Sequence, residues 1–178
     1  VDATLTEKNI IHNPFGNEES WFYTGDMFRR DEDGDYWFVD RLGDTYRWKG
    51  ENVSTEEVAY VIQGVPSVAT CAVYGVRVPG REGRAGMVAI QVKDGMTFDP
   101  DVFAKTMVDD LFPAARPRFV RLVDALPVTS TLKLIKHHLK QDGADPRTIE
   151  DPLYVYDENK EQYLPLTPEN YEQAIAAL

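Results

Sequence analysis

The chain has a single cysteine, Cys71, so no disulfide can close within it. That thiol sits in the apolar run Val68-Ala69-Thr70-Cys71-Ala72-Val73-Tyr74, where a buried and inert side chain is expected. One cysteine also fits a reducing compartment, and the expected location is cytoplasmic. Nowhere do ~20 apolar residues follow one another, so no helical segment is long enough to span a bilayer. The charged-then-apolar layout of a signal peptide is missing from the N-terminus. Basic charge is scarce as well: 19 Lys and Arg against 30 Asp and Glu give a formal net charge of -11. A phosphate backbone or an anionic lipid surface needs the opposite balance. Broad nucleic-acid binding and electrostatic adsorption to membranes are therefore excluded, but a nucleotide pocket, which needs only a few local cations, is not.

Hydrophobic residues make up 43% of the chain and charged residues 28%, a globular balance rather than a disordered one. At 178 residues it holds one ordinary domain, or a small domain with a remnant of another. Strands and helical patterns interleave, which predicts a mixed α+β fold: a small sheet flanked by helices. Trp21-Phe22-Tyr23 and Tyr36-Trp37-Phe38-Val39 read as strands separated by the turn Asp31-Glu32-Asp33-Gly34. A second short strand pair covers Thr45 to Val53, with Lys49-Gly50-Glu51-Asn52 as its turn. Ser54-Thr55-Glu56-Glu57 has the form of a capping box opening a helix through Val58, Val61 and Ile62, which Gly64 to Pro66 ends.

Strands are expected around Val68–Tyr74, Met87–Val92 and Phe119–Val123. Between the first two lies a charged loop, Pro79 to Gly86, that matches no phosphate-cradling pattern and is expected only to connect strands. Asp99-Pro100 predicts a helix over 100–112 with Val102, Phe103, Met107, Leu111 and Phe112 as its core face. A short helix over Leu134–Gln141 is closed by Gly143. The tail predicts a hairpin, Leu153–Tyr156 with Gln162–Leu166, and a last helix starting at Thr167-Pro168. The domain boundary falls at Asp40–Asp44, giving residues 1–40 and 41–178.

Three segments carry candidate chemistry. In Thr24-Gly25-Asp26 a carboxylate directly after a glycine can approach a sugar and accept from two vicinal hydroxyls together. Asp40-Arg41, two residues before Gly43-Asp44, leads into Arg47-Trp48-Lys49-Gly50-Glu51-Asn52-Val53, a glycine turn crowded with charge and aromatic surface. Pro127-Val128-Thr129-Ser130-Thr131-Leu132-Lys133 ends in a cation on a flexible stem. His12, His137 and His138 have no cysteine or paired carboxylate at ligand spacing, so no metal site is expected.

Together these three segments resemble the C-terminal third of adenylate-forming enzymes. More narrowly, they are similar to the very-long-chain acyl-CoA synthetases, also called the fatty-acid transport protein family. The wording from Asp40 to Val53 is characteristic of that branch. So is Leu132 where the wider superfamily has glycine in Pro-x-Thr-x-x-Gly-Lys. The segment Val76 to Met87 and the tail Asp151-Pro152-Leu153-Tyr154 extend the resemblance over nearly the whole chain.

The resemblance implies roles residue by residue. Asp26 and Arg41 would hold the ribose of ATP; Phe22 stands where the superfamily often has tyrosine, so no hydroxyl acts there. The pivot of a domain rotation would be Gly43 or Asp44. Gly50 would let the pantetheine arm of coenzyme A pass, with Trp48 walling its tunnel and Lys49, Glu51 and Arg47 around it. Lys133 would bridge the carboxylate and the α-phosphate during adenylation. The implied reaction joins a fatty acid, ATP and coenzyme A to give acyl-CoA, AMP and pyrophosphate.

Val1-Asp2-Ala3-Thr4 is not an initiator sequence, and residues 1–40 do not look able to fold alone. A piece of a longer polypeptide is expected, with its own N-terminal adenylation domain as partner. The ATP phosphate loop, the magnesium carboxylates and the acid-binding tunnel, together with any membrane association, would lie in that other part. Two alternatives stay open: a bile-acid or sterol-acid CoA ligase with the same C-terminal wording, and a free-standing nucleotide or coenzyme A binding module.

Overall fold

The computed structural model describes residues 7–42, 44–129 and 134–178. It divides into two compact units, Val1–Gly43 and Asp44–Leu178.

The first unit is built from two antiparallel ribbons. β1 (Ile10–His12) pairs with β2 (Ser20–Phe22), and β3 (Asp26–Arg30) pairs with β4 (Tyr36–Arg41). The strand at 36–39 and its turn stand where the sequence places them. The partner strand differs: Trp21-Phe22 joins Ile10-Ile11, and Asp26–Arg30 closes the hairpin with β4. The reason is local. Asp31 accepts the Asp35 amide at 2.9 Å and the Trp37 indole N–H at 2.6 Å, which folds the chain back at once onto 26–30.

The second unit holds the core. Its five-stranded sheet has the order β11-β10-β9-β8-β7, from β7 (Val68–Val76), β8 (Ala85–Val92), β9 (Phe119–Leu122), β10 (Leu153–Asp157) and β11 (Gln162–Leu166). All neighbours are antiparallel except β8 and β9. A parallel pair needs a crossover, and α2 (Pro100–Asp110) supplies it between those two strands. β7 and β8 read as near-continuous apolar runs and are buried along most of their length. α1 (Thr55–Gln63) packs on β7, and α2 packs on β11 and on α1.

The helix starts follow cap chemistry. Ser54 Oγ accepts the Glu57 amide at 3.3 Å. Asp99 accepts the amides of Asp101 and Val102, with Pro100 at the first turn where no N–H is needed. The core face of α2 is Phe103, Ala104, Met107 and Leu111, whereas Val102 and Phe112 are exposed. Phe103, Met107 and Leu111 recur every four residues; Val102 lies about 100° round the helix, and Phe112 follows an extended C-cap at Leu111. Two helices start later than their sequence signals. α3 spans His137–Asp142, and α4 spans Tyr171–Ala177 because Asn170 ties Thr167 to Asn170 in a turn first.

A short ribbon, β5 (Tyr46–Trp48) with β6 (Glu51–Val53), lies against β7 and β8. Tyr46, Trp48 and Val53 point into the core, and Arg47, Lys49, Gly50, Glu51 and Asn52 face solvent.

Candidate functional site

The structure brings Asp26 and Arg41 together. They are cross-strand partners on β3 and β4, and Arg41 Nε lies 3.2 Å from Asp26 Oδ1. The contact is an ion pair without hydrogen-bond geometry, so that buried carboxylate oxygen has no hydrogen-bond partner among the described residues. Thr24 Oγ1 accepts the Asp26 amide at 3.1 Å and fixes the entry into β3. An acceptor and a donor thus stand side by side on one exposed strand pair.

Lys49 and Gly50 form the turn of the β5–β6 ribbon by themselves, and both have positive φ, 49° and 88°. Two successive positive φ values match the mirror-image turn that suits the right-handed twist of a hairpin. A side chain built on Gly50 would meet nothing within 4 Å. The tip is therefore open on its outer side.

What lies beneath it is buried and closely packed. Trp48 is 2% exposed and belongs to the core, with its indole N–H buried and without an acceptor among the described residues. The Tyr46 ring lies over Gly75 and Gly86, which are cross-strand partners on β7 and β8. A Cβ on Gly75 would stand 2.5 Å from Tyr46 Cβ, and one on Gly86 2.3 Å from its hydroxyl oxygen. That hydroxyl donates to Ala115 O at 3.4 Å, and burial pushes it well above the usual phenol range. The ribbon is held flush to the sheet by the two glycines.

The loop after β7 does more than connect strands. The Arg84 amide donates to Arg47 O at 2.7 Å, and a Cβ on Gly83 would come within 2.2 Å of the same oxygen. Docked this way, the loop walls an open cavity of about 810 Å³ lined by Arg47, Arg77, Arg81 and Arg84, with Glu82 among its lining residues. Four arginines line this one opening in a chain of net charge -11, with Arg81 Nη2 donating to Ala176 O at 2.9 Å. Arg47 alone was legible in advance; the other three sit far from it in sequence, and only the strand pairing gathers them.

On the other side of the turn, Lys49 Nζ donates to both carboxylate oxygens of Glu158, at 3.0 and 3.1 Å. Glu158 also pairs with Arg118 at 2.5 Å. Neither Glu158 nor Arg118 carries a motif that marks it in the sequence.

Asp44, the first residue of the second unit, accepts from Lys140 Nζ at 2.8 Å, and Lys136 Nζ lies 3.9 Å from its other oxygen. Lys136 also donates to Thr55 Oγ1 at 3.3 Å, at the start of α1. The neighbouring pivot candidate, Gly43, and the adenylation candidate, Lys133, lie outside the described residues. Among the described residues no group of three His, Cys, Asp or Glu is placed to hold a metal ion. No helix among them is long and apolar enough to cross a membrane.

Residues 57–133 match the model of the AMP-binding enzyme C-terminal domain. That match takes in 77 of the 178 residues, and it makes this segment similar to the C-terminal domains of AMP-binding enzymes. It is 42% identical over 173 residues to long-chain fatty acid transport protein 6 of Mus musculus, covering 97% of this chain and 28% of that protein. It is 43% identical over 175 residues to the medium/long-chain-fatty-acid–CoA ligase FadD6 of Mycobacterium tuberculosis, at 97% and 29% coverage. The anthranilate CoA ligase AuaEII, solved with anthranoyl-AMP, superposes with a TM-score of 0.63 at 28% identity, over 72% of this chain and 25% of that one. The chain thus spans little more than a quarter of the length of the curated relatives it matches.

Proposed function

We propose that this chain is the C-terminal part of an AMP-forming fatty-acid CoA ligase. The full reaction has two displacements. A fatty carboxylate attacks the α-phosphate of ATP and expels pyrophosphate; the thiolate of coenzyme A then attacks the acyl carbonyl and expels AMP. The observation that carries the proposal is the Lys49-Gly50 turn, a glycine with open space above it on a ribbon pinned from below. Such a tip lets a narrow thiol-bearing arm pass along the backbone, where any side chain would obstruct it.

The other groups take complementary roles. The arginine-lined cavity beside the turn offers bidentate donors for the phosphates of coenzyme A. Asp26 accepts from the ribose hydroxyls of ATP while Arg41 braces its carboxylate. Lys133 neutralises the charge that moves between carboxylate and α-phosphate in the first step. Rotation of the C-terminal unit about 43–44 presents Lys133 and then the Gly50 turn to the adenylation domain that the longer relatives carry. ATP, coenzyme A and the fatty acid are substrates; Mg²⁺ would be held by the adenylation domain.

The test separates the half-reactions in the full-length ligase. Lys133→Ala is expected to abolish adenylate formation and still convert supplied acyl-adenylate to thioester. Gly50→Leu is expected to do the reverse. Equal loss of both steps in either variant contradicts the division of roles. The 178 residues alone are expected to form no acyl-adenylate from ATP, and robust turnover by them would refute the proposal.

A further inference from the structure

Lys49 occupies the left-handed region at φ 49°, where Asn or Gly is the ordinary choice. What a lysine adds there is the reach of its ammonium. That ammonium donates to both oxygens of Glu158, 109 positions away in the chain. An ion pair between two half-exposed side chains contributes little by itself. Glu158, however, is not free to wander. Its Oε1 also meets Nη1 of Arg118, whose side chain is 1% exposed.

Arg118 is itself fixed. Nη2 donates to Pro113 O at 2.9 Å, and the guanidinium carbon lies 5.4 Å from the centre of the Tyr156 ring. Nη1 and Nε have no hydrogen-bond acceptor among the described residues, so Glu158 supplies the counter-charge to a buried cation. Burial pushes the Glu158 carboxyl up, and the Lys49 hydrogen bond and the Arg118 charge outweigh it, leaving it below the ordinary 4.5. The carboxylate is thus a bridge with one end anchored in the core and the other on the turn.

We propose that Glu158 is a positioning residue for the thioester-forming half-reaction, acting through Lys49 to hold the Lys49-Gly50 turn in the geometry that admits the pantetheine arm. The proposal rests on the reading of that turn given above. Arg118 is the anchor, Glu158 the link and Lys49 the gripped element. The bridge ends on the Lys49-Gly50 turn, so it bears on the second step rather than the first.

The experiment uses the full-length ligase with Glu158→Gln, Lys49→Met, the double variant and Gly50→Leu. Adenylation is followed by ATP–pyrophosphate exchange, and transfer by single-turnover reaction of preformed acyl-adenylate with coenzyme A. Glu158→Gln is expected to slow transfer roughly tenfold or more, the scale of misplacing a positioning element, with exchange within about twofold. Hydrogen exchange is expected to quicken in residues 46–53 and to stay unchanged in 85–92. Lys49→Met should slow transfer equally, and the double variant no further than either single one. Because Glu158→Gln leaves Arg118 buried without its counter-charge, it could fail to fold. Lys49→Met keeps that pair intact and then carries the test alone.

Transfer unchanged in Lys49→Met and Glu158→Gln, while Gly50→Leu abolishes it, overturns the positioning role and leaves the turn reading standing. Additive losses in the double variant, or equal loss of exchange and transfer, overturn it too. Should Gly50→Leu itself transfer normally, the reading of the turn fails and this proposal falls with it.

Discussion

Cys71 shows how far a single side chain can be argued from its neighbours. It is buried on β7, with Sγ 3.8 Å from Ala59 O. Burial pushes its thiol up to about 11 from the ordinary 9.0, with Glu56 adding to the rise and Lys136 opposing it. Only the thiolate reacts, so at pH 8 a thiol held at about 11 offers about a hundredfold less of it than one at 9.0 in an open chain. Native protein is expected to resist a disulfide reagent at pH 8 and to give one equivalent promptly in guanidinium. Fast labelling without denaturant would mean that β7 opens far more readily than its burial implies. This residue was legible in the sequence, because an apolar run on both sides leaves a thiol nowhere else to go. Arg118 was not: an arginine among Ala115, Pro117 and Phe119 gives no sign that it is buried, since its counter-charge lies 40 residues on.

At the scale of elements, the Tyr46 trough makes a sharper forecast. Gly86→Ala puts a methyl 2.3 Å from the Tyr46 hydroxyl and 2.7 Å from the ring carbon that bears it. Overpacking of this kind costs about 1–3 kcal/mol. Tyr46→Phe removes the nearest obstacle, so Gly86→Ala with Tyr46→Phe should recover part of the loss in a denaturant melt. Gly75→Ala clashes instead with Tyr46 Cβ at 2.5 Å, and Tyr46→Phe should not help it. Equal rescue at both glycines would show that the ribbon floats above the sheet. Nothing in the sequence announced this trough; glycines within apolar strands read as weak points until the ring that needs them is placed. The capping residues Ser54 and Asp99 and the hairpin at 153–166 were legible, because caps and turns are set within a few residues. Val102 and Phe112 were misassigned to the core, since a helical period alone does not say where one stripe ends.

For the molecule as a whole, every residue of the buried hydrophobic cluster lies at Tyr46 or beyond. The first unit exposes Phe15, Trp21, Phe22, Tyr23, Phe28, Tyr36, Trp37 and Phe38 instead. Residues 44–178 alone are therefore expected to unfold in one cooperative transition, within a few degrees of the same transition in the 178-residue chain. Loss of that transition on removing 1–43 would show that the core depends on the first unit. The parallel pair β8–β9 then decides the order in which the sheet is completed. β9 reaches β8 only after the 93–118 crossover closes, and the β10–β11 hairpin has β9 as its sole sheet neighbour. The last two strands have no template until that long loop has been drawn in, so the C-terminal hairpin is the late arrival on the folding route.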